Sequence, residues 1–146
     1  MSESLTHKPF IHPSIEIRWD ERIYGWGVFA KESIEQHTLV ETTPVVVYPQ
    51  DILQLAAWNT QGDKHKLASL GLTLYSMSWS EDTAIIPLGW GGIYNHSDNN
   101  NCQFLIDKEN GLLHIATLKD IHENEQLLVS YGEDWFENKP FPKINL

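Results

Sequence analysis

A chain of 146 residues with 41% hydrophobic content and six tryptophans suits one folded domain and excludes an intrinsically disordered chain. The formal net charge of -10 argues against direct nucleic-acid binding, which needs Lys and Arg gathered on one face; it fits a basic partner instead. The single cysteine, Cys102, excludes a disulfide framework and a cysteine-cluster zinc site.

Taken in chain order, residues up to Ser14 carry Pro9 and Pro13 with little pattern. They predict an N-terminal arm or a first edge element, without the apolar core of a signal peptide. No apolar run reaches bilayer length, so a soluble intracellular protein is expected, nuclear or cytoplasmic. Ile15 to Trp19 alternates apolar with charged residues and reads as a strand with one buried face. Ile23 to Ala30 reads as a strand interrupted by Gly25 and Gly27, the mark of a bulge, a close backbone approach or a hairpin turn. Thr38 to Glu41 and Pro44 to Tyr48 predict two short strands separated by a turn. Asp51 caps an expected helix through Ile52, Leu55, Ala56 and Trp58, and Lys64 to Leu70 suggests a second short helix. Leu72 to Trp79 alternates as a strand, with Thr83 to Leu88 returning as its partner. Gln103 to Ile106 and Leu112 to Ala116 form another expected hairpin, and Leu127 to Gly132 a final buried strand. The whole reads as mostly β with one or two short helices.

Between these strands lies Leu88 to Cys102, a glycine-rich aromatic run ending in Asn95-His96-Ser97-Asp98-Asn99-Asn100-Asn101. Such a stretch is either a polar turn or a place where backbone and short polar side chains meet a ligand.

Three stretches, in order, resemble motifs of the SET-domain lysine methyltransferases. Gly25-Trp26-Gly27-Val28-Phe29-Ala30 is similar to G-x-G-V-F-A. Asn95-His96-Ser97 with Asn101-Cys102 is similar to the outer members of N-H-S-x-x-P-N-C. Asn124-Glu125-Gln126-Leu127 with Tyr131-Gly132 is similar to G-E-E-L-x-x-x-Y-G. The likeness spans residues 15–136, leaving 1–14 as an arm and 137–146 as a tail, and the short length looks most like the minimal viral and bacterial type. Asn100 stands where proline is usual, Asp98 where cysteine is frequent, Asn124 for glycine and Gln126 for the second acid. The zinc-binding cysteines that follow the domain in many histone enzymes are absent, so Trp135 to Leu146 or a second subunit is expected to close the substrate channel.

The resemblance implies small curved β-sheets with a C-terminal pseudoknot, bringing Asn95-His96 against Leu127 to Tyr131. It implies S-adenosylmethionine as cofactor, a basic lysine-containing protein such as a histone as substrate, and a homodimer as one way to complete the channel. Tyr131 is then the catalytic tyrosine, beside the transferring methyl. Gly25, Trp26, Gly27, Asn95, His96, Trp135 and Phe136 are expected around the cofactor, with His96 acting through its backbone or as a buried structural histidine. Tyr75, Phe104 and Val129 are expected on the lysine channel, or in the case of Tyr75 and Phe104 simply in the core. A catalytically idle module that binds a peptide along a strand, and a generic β-sandwich, are the competing readings.

Overall fold

The computed structural model describes residues 8–49, 51, 76–132, 135–136 and 143–146. Ten strands follow in order: β1 (Phe10–Ile11), β2 (Ile15–Asp20), β3 (Gly25–Ala30), β4 (Leu39–Pro49), β5 (Met77–Ser78), β6 (Thr83–Pro87), β7 (Asn95–His96), β8 (Cys102–Asp107), β9 (Leu112–Thr117) and β10 (Gln126–Val129). The first sheet runs β5-β6-β4-β9-β8 with β1 also on β4, and the second runs β2-β3-β10-β7. The expected helices, and Leu72 to Tyr75 with them, lie outside the described residues.

Alternation decides β2, whose register against β3 is continuous from Ile15↔Ala30 to Asp20↔Gly25. No bulge occurs at Gly25 or Gly27. The tight turn falls one residue earlier, at Tyr24, whose φ is 55°. The two strands expected at Thr38 to Glu41 and Pro44 to Tyr48 are one strand of 11 residues. Thr42 and Thr43 do not break it, because β1 and β9 pair with that half and β6 takes over from Val45. Pro44, which has no N–H to donate, sits where the partner changes. Its carbonyl still accepts from Leu88 N–H at 2.9 Å.

All six residues of β9 are buried, because β9 lies between β4 and β8. Val28, Val40, Tyr94, Leu113, Ile115, Leu127 and Val129 form the centre of the core, each at most 1% exposed. Each such aliphatic side chain contributes about 1.5–3 kcal/mol by leaving water.

β10 joins distant parts of the chain. It pairs antiparallel with β3 and parallel with β7, matching Leu128 to Asn95 and Val129 to His96. The 97–101 loop then closes over it. Asn101 Nδ2 donates to the Gln126 carbonyl at 2.9 Å, and Leu128 N–H donates to Asn101 Oδ1 at 2.8 Å. β10 is thereby held beneath the loop, in the threaded form that the resemblance implies. Asn124 has φ 73°, a left-handed conformation that asparagine tolerates better than most residues, so the turn before β10 survives the loss of the usual glycine.

Candidate active site

Tyr131 leaves the end of β10 and is fixed at both ends. Its backbone N–H donates to His96 Nδ1 at 3.0 Å, and its hydroxyl donates to the Tyr94 carbonyl at 2.5 Å. Gly132 follows at φ 91°, a left-handed turn for which glycine is suited. Because His96 Nδ1 accepts, the ring proton sits on Nε2, which faces Asp98 Oδ1 at 3.0 Å. His96 is 4% exposed, and its ring is occupied on both sides. It is a buried structural histidine that carries Tyr131, and it offers no free nitrogen as a base.

Around Tyr131 the rings converge. Trp135 lies 4.6 Å away, His96 5.3 Å and Phe136 5.9 Å between centroids, the last stacked. Two cavities meet at Tyr131 and Trp135. The larger, about 380 Å³, is lined also by Ile23, Asn95, His96, Phe136, Ile144 and Leu146. The narrower, about 40 Å³, is lined also by Ser76, Met77, Pro87, Gly91, Gly92, Tyr94 and Phe104.

The wall of the narrow cavity depends on Glu41, which is 1% exposed. One carboxylate oxygen accepts the Tyr94 hydroxyl at 2.8 Å, and the other accepts the Trp90 N–H at 2.8 Å. Burial pushes the Glu41 carboxyl up to about 7, against the opposing effect of those hydrogen bonds. The same burial, with Glu41 beside it, holds the Tyr94 hydroxyl well above its ordinary value. Thr43 adds a bond from its hydroxyl to the Leu88 carbonyl, so two β4 side chains hold the 88–92 turn in addition to the Leu88 N–H bond to the Pro44 carbonyl.

Behind the larger cavity runs a polar chain. Asn95 Nδ2 donates to the Trp26 carbonyl at 3.0 Å and to Gln126 Oε1 at 2.7 Å. Gln126 Nε2 donates to Asp20 Oδ2 at 2.8 Å. Arg22 forks onto Asp20 at 2.8 and 3.1 Å and holds that carboxyl at about 2. On the outer side, Lys143 pairs with Asp98 at 2.8 Å, and the Asp98 N–H donates to Asn145 Oδ1 at 2.8 Å. Lys143 first, then His96, hold the Asp98 carboxyl below the usual carboxylate range. These contacts seat 143–146 against the larger cavity.

Tyr131, Asn95, His96, Trp135, Phe136 and Phe104 are thus brought together. Gly25 and Gly27 stay in β3 and line neither cavity. A Cβ on Gly27 would lie 2.3 Å from Gln126 Oε1 and 2.9 Å from Asn95 Nδ2, so that glycine makes room for the polar chain. Trp26 contributes its carbonyl, while the residue is 53% exposed and its ring packs edge-on against Trp19. Val129 is fully buried in the core and lines neither cavity. Tyr75 lies outside the described residues. Tyr94, Glu41 and Asp20 complete the site without having been singled out in the sequence; Gln126 is named there only as a departure from the third motif, and Ile144 and Leu146 only as part of the closing segment. Cys102 is buried, and burial pushes its thiol up to about 12, which leaves it inert.

The family model described as SET domain matches residues 25–132. The chain belongs to the SET-domain family. It is 33% identical over 132 residues to the Schizosaccharomyces pombe protein named histone-lysine N-methyltransferase, H3 lysine-37 specific, covering 90% of this chain and 82% of that one. A Plasmodium falciparum protein, named as a candidate histone methyltransferase in its crystal structure, superposes with a TM-score of 0.61 at 26% identity. That match covers 86% of this chain and 99% of the other. This SET-domain protein is a protein-lysine N-methyltransferase, and the mostly-β architecture is that of the family.

Proposed function

We propose that this enzyme transfers methyl groups from S-adenosylmethionine to a lysine of a basic protein, a histone being the leading substrate class. The observation that carries the proposal is the pair of cavities sharing Tyr131 and Trp135, one large with polar Asn95 on its wall and one narrow and mostly apolar. A two-substrate transfer needs two approaches that meet at one point. The larger space falls in the range of small-molecule sites. The donor set fits the cofactor: an amide oxygen for an ammonium group, and flat rings for an adenine and a sulfonium.

S-adenosylmethionine, when bound, supplies an electrophilic methyl on a positive sulfur. The chain's residues do the rest. Free lysine titrates at about 10.4, so the amine must be made neutral before its lone pair can act. Met77, Pro87, Phe104 and Trp135 give the channel apolar walls that disfavour the ammonium form. Tyr131 spends its hydroxyl proton on the Tyr94 carbonyl, which turns its oxygen lone pairs outward to accept from the amine. Bound in the Asn95 cavity, the cofactor would offer its methyl to the amine nitrogen, with Tyr131 and Trp135, which border both cavities, between the two reactants. The amine proton leaves to solvent. Holding the two reactants in line supplies much of the rate.

Radiolabelled transfer to histones tests the reading, with Tyr131→Phe as control. The variant is expected to lose about 10²-fold or more in kcat while its affinity for S-adenosylmethionine, read by calorimetry, stays within about threefold of wild type. Equal rates in both proteins, or no binding heat with wild type, would contradict it.

A further inference from the structure

We infer that Gln126 is a positioning residue that, together with the Trp26 carbonyl, fixes which face of the Asn95 amide meets the cofactor. The inference rests on the reading of the Asn95 cavity as the cofactor site. Its logic comes from which atoms can donate and which can only accept. Asp20 is 6% exposed and locked onto Arg22, so it stays a carboxylate and can only accept. The Gln126 side chain facing it must therefore present Nε2, as observed at 2.8 Å. That leaves Gln126 Oε1 for Asn95, and an oxygen can be met only by the Asn95 NH2 group, at 2.7 Å. The Trp26 carbonyl, also purely an acceptor, takes the same NH2 group at 3.0 Å. Both neighbours agree, and Asn95 Oδ1 is the amide atom left for the cavity that Asn95 lines.

An acceptor there suits the ammonium of an amino-acid moiety; the reversed amide would set a donor against it. Gly27 is part of the device, because any side chain at that position would collide with both amides. Gln126 stands where the resembling motif has an acid. A glutamate there would place its carboxylate against that of Asp20, in a site where neither is well solvated. The amide keeps the relay from Arg22 through Asp20 to Asn95 intact.

The test is calorimetric binding of S-adenosylhomocysteine to four full-length proteins: wild type, Gln126→Glu, Asp20→Asn and the double variant. Gln126→Glu still offers Asn95 an acceptor but sets a carboxylate against that of Asp20; the repulsion draws position 126 away from Asn95, and binding is expected to weaken about tenfold or more. In the double variant the carboxylate introduced at position 126 meets two amide donors, one from the amide introduced at position 20 and one from Asn95. Its binding is expected to return to within about threefold of wild type. A packing role alone would not produce that rescue. Wild-type affinity in Gln126→Glu, or a double variant as weak as the single, would overturn the inference while leaving the cofactor site in place. Absence of heat with wild type would remove the site and the inference together. Thermal melting identifies any variant that fails to fold. In that case Gln126→Met, which removes the acceptor without adding charge, is expected to weaken binding about threefold or more; unchanged affinity there also overturns the inference.

Discussion

Glu41 is a buried acid whose ordinary value near 4.5 is raised to about 7 by burial. Between those two values the folded protein keeps a proton that the unfolded chain has released, so Glu41 makes stability fall as pH rises through that window. Its contribution is roughly 3 kcal/mol, fully lost above the upper value. Asp20 acts with the opposite sign, but at about 2 it matters only in stronger acid. Glu41→Gln can still accept from Trp90 N–H and donate to the Tyr94 oxygen. Thermal melts of that variant are expected to lose the wild-type rise in stability on going from about pH 8 to about pH 5. Identical pH profiles would show that Glu41 does not titrate there. At the channel, Phe104 leaves out a hydroxyl that would restrain the amine. Wild type is therefore expected to give di- or trimethyl product by mass spectrometry, and Phe104→Tyr to shift it toward monomethyl. Only monomethyl product with wild type, unchanged by the substitution, would contradict this. Tyr131 and Asn95 were legible because they sit in short motifs with fixed neighbours. Glu41 and Asp20 were not, since a lone polar residue in a strand looks the same whether it faces water or a buried partner; Gln126 stood in a motif, but its bond to Asp20 spans too much chain to be read there.

At the scale of elements, the 143–146 segment and the 97–101 loop are one assembly. Lys143 and Asn145 hold Asp98, and Ile144 and Leu146 wall the larger cavity. Deleting 143–146 is expected to weaken S-adenosylmethionine binding about tenfold, in line with the loss of two apolar contacts. Unchanged affinity would show that the segment is a bystander. Of the residues from Trp135 to Leu146 expected to close the substrate channel, Phe136, Ile144 and Leu146 line the Asn95 cavity and, among those described, Trp135 alone borders both cavities. The hairpins β5–β6 and β8–β9 could be read from alternation because their partners are near in sequence. The two-residue β7 could not. It is too short for any pattern, and its pairing with β10 spans more than thirty residues. Thr42 and Thr43 read as a turn that splits β4 in two, whereas the strand runs through them and Pro44 marks a change of partner.

Over the whole molecule, the net charge of -10 should draw a lysine-rich substrate toward the acidic surface. KM for a histone peptide is expected to rise several-fold as salt shortens the screening length to about 3 Å near 1 M, with kcat changing less. A KM insensitive to salt would assign recognition to local contacts. The threaded path of β10 is what places Asn95 and Tyr131, distant in the chain, around one point, and no strand pattern encodes threading. A crystal structure with S-adenosylhomocysteine and a lysine peptide tests that convergence most directly. The account predicts the cofactor's sulfur in the Asn95 cavity and the lysine Nζ in the Phe104 cavity, both at the Tyr131 hydroxyl. Either ligand bound elsewhere, or both entering from one side, would contradict it.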